Sequence, residues 1–141
     1  MIRQKITLPD YGNWEIFAYF AVSGYWVDEI MEKLWEIGCD GETALQAYRN
    51  LASSELNTGL CYSNYRERKS VMVVALTSSP AEFANSWHHE MCHLVAHIGK
   101  VYDLDPLGED AAYLSGEISM EMFPKIHHLL CQDCRNKIYQ K

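Results

Sequence analysis

Between Val71 and Ile98 a short apolar run gives way within four residues to a long helical stripe, and this switch limits the folds open to the 141-residue chain. Val71-Met72-Val73-Val74-Ala75-Leu76 is β-branched and apolar, as a buried strand requires. Thr77-Ser78-Ser79-Pro80 follows as a helix start, with Ser79 suited to the N-cap and Pro80 to the first turn. From Ala81 to about Ile98, Phe83, Trp87, Met91, Leu94, Val95 and Ile98 recur at three- and four-residue spacing, which predicts an amphipathic helix packed on a core. A strand leading directly into such a helix calls for a sheet with helices against it.

That helix carries His89-Glu90-Met91-Cys92-His93, an HExxH pattern. Residues four apart share a helix face, so both imidazoles can present a nitrogen to one Zn²⁺ at roughly 2.0 to 2.1 Å. Glu90 then lies beside the metal, where it can take a proton from water that the metal acidifies. Trp87, His88, Leu94 and Val95 flank the motif without a formal charge, as a core-packed helix requires. The plainer reading is a partly buried helix with two satisfied histidines. His88 lies about 100° round the helix from His89, and His97 about 12 Å along it, so neither joins the same ion. The metzincin pattern is absent.

A catalytic zinc takes three protein ligands and keeps one position open, so a third donor must come from elsewhere. The breaker-rich segment Gly99 to Gly108 ends in a new helix near Glu109, which makes Glu109 the first candidate, with Asp110 and Glu117 as competitors. Tyr113 shares a face with Glu109 and Glu117 and is a candidate donor to a developing oxyanion. Acids in a first helical turn also favour the helix dipole without any function.

The block Asn57-Thr58-Gly59-Leu60, then Tyr62-Ser63-Asn64, the Val71–Leu76 run, the motif helix and Gly108-Glu109-Asp110-Ala111-Ala112-Tyr113-Leu114 together resemble small zinc metallopeptidases of the minigluzincin type, found mainly in prophages and mobile elements. The resemblance spans about Tyr19 to Gly116. It implies a zincin fold, zinc held by His89, His93 and Glu109, and Glu90 as general base. It says little about substrate.

Composition is consistent with one domain over residues 1–141, able to bury about 70% of its unfolded surface. A hydrophobic content of 48% with four tryptophans argues against disorder. The net charge of −7 argues against nucleic acid as primary partner, since Arg66-Glu67-Arg68-Lys69 reads as a polar turn. No apolar run is long enough for a bilayer, and Met1-Ile2-Arg3-Gln4-Lys5 leads into no signal-like core, so a cytoplasmic location is expected. Five cysteines without an export signal are expected to be reduced thiols, with Cys92 a small buried hydrophobe. Cys131-x-x-Cys134 after His127-His128 suggests a second metal or redox site only weakly, because one CxxC without a partner also suits a packed terminal helix.

The remaining chain reads as α+β. A strand is expected over residues 14–22, helices over 25–37 and 43–56, and a hairpin of strands at about 59–65 and 70–76 around the charged turn. After the motif helix come a helix from Glu109 and a last one from about Ser119 to Lys137, with Pro124 in an early turn or kink. The expectation is a zincin-like fold with a small antiparallel sheet of about three strands. Zincins bind an extended peptide along an exposed sheet edge, which makes a peptide or protein the expected substrate of a zinc-dependent hydrolysis. The rival reading is a catalytically inactive zincin-like module that binds another protein. A redox or metal-handling protein built on Cys131 and Cys134 is the third. Oligomeric state is left open.

Overall fold

The computed structural model describes residues 1 to 139. Four strands form one sheet: β1 (Ile2–Leu8), β2 (Trp14–Val22), β3 (Gly59–Asn64) and β4 (Lys69–Ala75). Five α-helices accompany them: α1 (Val27–Glu36), α2 (Gly41–Ala52), α3 (Pro80–Val101), α4 (Glu109–Ile126) and α5 (Gln132–Tyr139). The strand order is β1-β2-β4-β3, which leaves β1 and β3 at the edges. Both edge strands pair antiparallel, while β2 and β4 run parallel in the middle.

The α+β class agrees with the sequence reading, but the sheet corrects it. It is mixed rather than antiparallel and has four strands rather than about three. The unread strand is β1, where Ile6 and Leu8 turn inward and Lys5 and Thr7 outward, the alternation of a half-buried edge. The parallel pair arises because α1 and α2 return the chain to the end at which β2 finishes, β3 then runs back along the sheet, and β4 reverses again into the direction of β2.

Because strand side chains alternate, the sheet builds two cores. Tyr19, Val22, Val71 and Val73 meet Ile30, Met31 and Leu34 of α1 and Leu51 of α2. On the other face Ile16, Ala18, Phe20, Met72 and Val74 meet Phe83, Met91, Leu94 and Ile98 of α3 and Leu114, Ile118 and Met122 of α4. Three layers result, helix, sheet and helix.

Helix α3 starts as expected, with Ser79 Oγ accepting the Glu82 amide at 3.1 Å and Pro80 in the first turn. Helix α2 stops at Ala52, short of 56, and Ser54 just beyond it takes a left-handed φ of 56°. Residues 24–26 form a 3₁₀ turn before α1. The expected division near Ser119 does not occur. Ile118, Met122 and Ile126 continue the buried face of Leu114, so α4 runs through to Ile126 with Pro124 inside its last turn. Helix α5 is separate, and its buried Arg135 donates to Thr77 Oγ1 at 2.9 Å, tying the tail to the turn before α3. Among the described residues no helix is long and apolar enough to cross a membrane.

Candidate metal centre

Met91 and Leu94 anchor the middle of α3 in the core, and this sets the direction of the residues between them. His89 and His93 then emerge on one exposed face, as the four-residue spacing predicts. Their Nε2 atoms lie 3.3 Å apart, with ring centroids 4.9 Å apart. Two nitrogens each about 2.05 Å from a tetrahedral zinc would be separated by about 3.3 Å, so the pair fits one ion as it stands.

Glu90 differs from its neighbours in burial. It is only 6% exposed and lies against β3, and among the described residues its carboxylate has no hydrogen bond or ion pair. Burial raises its pKa above the usual carboxylate range, while the nearby His89 and His93 pull the other way. Gly59 makes the fit possible. A Cβ there would stand 2.5 Å from the Val73 carbonyl oxygen and 3.1 Å from Glu90 Oε1, so any side chain would displace the carboxylate or the strand. A cleft of about 260 Å³ opens at this point, lined by Thr58, Gly59, Ser86, His89 and Glu90 among others. Among the described residues the buried Ser86 Oγ has no hydrogen-bond partner.

The edge of β3 runs from this cleft. The Ala75 amide donates to the Thr58 carbonyl at 3.0 Å, which sets the alternation along the hairpin. Leu60, Tyr62 and Asn64 therefore turn their backbone groups to β4, and Gly59, Cys61 and Ser63 turn theirs outward. Of these, the Gly59 carbonyl accepts from Asn50 Nδ2 at 3.0 Å. A groove of about 530 Å³ follows this edge between β3 and α2, and Thr58 is common to it and the cleft.

No family model fits the sequence, and no curated protein or solved structure is significantly similar to it.

The expected third donor is not brought to the histidine pair. Among the described residues no group of three or more His, Cys, Asp or Glu side chains is arranged to hold a metal ion. Glu109 and Asp110 are exposed in the first turn of α4, where the helix dipole alone favours them. Asp110 and Glu117 lie toward Tyr11, whose pKa is raised by burial first and then by these two carboxylates. Tyr113 is 72% exposed and makes no hydrogen bond among the described residues.

Two cysteine expectations also change or narrow. Cys92 is exposed rather than buried, because the core takes Met91 and Leu94 and leaves position 92 at the groove between α3 and the start of α4. All five cysteines are free thiols, as expected. At the tail the Cys134 amide meets Cys131 Sγ at 3.5 Å, and among the described residues no metal-holding group surrounds the two cysteines.

Three residues near the motif carry structure that spacing did not reveal. Ser63 and Ser70 are buried across the β3–β4 hairpin with their hydroxyls 2.6 Å apart. His97, set aside as too distant to bind the ion, places Nδ1 2.7 Å from Ser63 Oγ. The available signal was Ser70, a polar residue opening the most apolar strand of the chain.

Proposed function

We propose that the protein is a zinc-dependent metallopeptidase acting on extended peptide, in a zincin-like arrangement of α3 and β3. The observation that carries this reading is the buried, unpaired Glu90 next to two imidazole nitrogens 3.3 Å apart, all at one end of an open strand edge. When bound, zinc supplies a Lewis acid that polarises the scissile carbonyl and lowers the pKa of water. His89 and His93 hold the ion through Nε2. Glu90 takes a proton from the attacking water and returns it to the leaving amine. Burial raises its pKa and so makes it a stronger base than an exposed carboxylate. The outward amides and carbonyls of Cys61 and Ser63 bind the peptide backbone as an added strand.

Glu109 is the third ligand that the resemblance implies, and it would have to be brought to the histidine pair for the site to have three protein donors. A binding module on the same fold is the second reading, favoured by the absence of a third donor beside His89 and His93 among the described residues.

Zinc content and casein hydrolysis separate the two. The wild-type protein binds one equivalent of zinc and degrades casein, His89→Ala loses both, and Glu90→Gln keeps the zinc and loses turnover. Full casein hydrolysis by Glu90→Gln overturns the assignment. Zinc binding without turnover in the wild type favours the module. Unchanged zinc affinity in Glu109→Gln removes Glu109 from the ligand set.

A further inference from the structure

His97 is the one half-buried histidine of α3 that the proposed chemistry leaves unused. Its surroundings are unusually directional. Trp14 Nε1 donates to Ser70 Oγ at 2.9 Å, Ser70 Oγ lies 2.6 Å from Ser63 Oγ, and Ser63 Oγ lies 2.7 Å from His97 Nδ1. An indole N–H can only donate, so the chain has a polarity. Ser70 accepts from Trp14 and is completely buried, and among the described residues the one acceptor its hydroxyl meets is Ser63 Oγ. Ser63 must then donate to His97 Nδ1. The reverse direction would leave the Ser70 proton buried without an acceptor, which is costly. Cys61 Sγ, 3.9 Å from the same nitrogen, adds a second donor, since burial holds its thiol protonated. Nδ1 is therefore the lone-pair nitrogen, and the ring proton sits on Nε2.

Among the described residues Nε2 has no hydrogen-bond partner, and the ring centroid lies 6.4 Å from that of His93. That span is about two residues of an extended chain. A strand added to β3 turns half of its carbonyls away from that edge, and those carbonyls need another donor.

We propose that His97 binds substrate: the Trp14–Ser70–Ser63 chain locks its imidazole as the Nε2–H tautomer, and Nε2–H donates to a backbone carbonyl of the extended peptide near the bond held at His89 and His93. The ligand class rests on the peptidase reading above, whereas the tautomer does not.

Imidazole nitrogen NMR on the metal-free full-length protein near pH 7.5 tests the lock. The expected His97 signals are an unprotonated Nδ1 and a protonated Nε2, with averaging between tautomers in Ser63→Ala. A protonated Nδ1 in the wild type overturns the proposal. Casein kinetics test the role. His97→Leu should raise KM about five- to tenfold with kcat within about twofold, and His97→Gln, which retains a donor amide, should restore most of the loss. An unchanged KM in His97→Leu overturns it. If the wild type cuts no casein, the peptidase reading fails by itself. Casein binding to the Glu90→Gln protein, with and without His97→Leu, then decides: weaker binding on losing the imidazole supports the proposal, and equal or undetectable binding overturns it.

Discussion

The two edges of the sheet are built in opposite ways. Strand β1 is defended by charge: Arg3 makes a bidentate pair with Glu29 at 2.6 and 2.8 Å and lies over Trp26, and Lys5 pairs with Glu15 at 2.6 Å. Gln4 Nε2 also donates to the Glu121 carbonyl of α4 at 2.8 Å. Strand β3, Gly-Leu-Cys-Tyr-Ser-Asn, has no charge at all, and among the described residues a single side chain, Asn50, hydrogen-bonds its outward backbone groups. Proteins commonly protect edge strands against unwanted pairing, and β3 lacks the charge that protects β1, which is the feature the proposed peptide binding uses. Charge placed along a strand decides which edge is closed, and the helix packed beneath decides what the open edge is for.

The largest effect that would break this contrast comes from Glu90. Glu90→Gln should lower casein turnover by at least about a thousandfold while circular dichroism and zinc content stay unchanged, whereas Arg3→Ala at the opposite edge should leave turnover near wild type. Gly59→Ala comes next. Its Cβ collides with the Val73 carbonyl and with Glu90, so a loss of about 1–3 kcal/mol in urea unfolding is expected together with a large loss of turnover. Ser70→Ala leaves the Trp14 indole N–H buried without an acceptor and should cost about 1–3 kcal/mol. A Ser70→Ala protein as stable as wild type would remove the hairpin hydroxyls from any structural role.

The smallest effect is a pH dependence. His97 has a folded pKa below its ordinary value because burial opposes the charge, with His93 and Lys100 acting in the same direction. The unfolded chain therefore binds the proton more readily, and stability declines as pH falls through the ordinary histidine range, about 6.5, toward the lower folded value. Thermal melts between pH 8 and 5 should show this decline, and His97→Gln should flatten it. An equal decline in both proteins would assign the acid sensitivity to other groups.

Much of the local structure was legible before the fold. The Val71–Leu76 run, the Ser79-Pro80 start and the stripe from Phe83 to Ile98 define β4 and α3, because strand burial, capping and helical periodicity are all short-range. The face shared by His89 and His93 was equally readable from their spacing. Strand β1 was missed because Arg3, Lys5 and Thr7 made its alternation look like a polar terminus. The extension of α4 past Ser119 was missed although Leu114, Ile118, Met122 and Ile126 recur at four-residue spacing, because Pro124 reads as an early-turn residue of a new helix.

What the sequence alone determined about this protein is periodicity: which segments are strand or helix, and that two imidazoles and a carboxylate sit together on one turn. The tertiary structure alone decided that Glu90 is buried against Gly59, that β3 and not β1 is the open edge, that Ser63, Ser70 and Trp14 reach His97, and that Glu109 lies apart from the histidine pair. The physical reason is range. Backbone hydrogen bonding and side-chain alternation repeat every two to four residues, whereas burial, cleft shape and hydrogen-bond polarity depend on partners that folding brings together from 34 to 56 positions apart in these chains of contact.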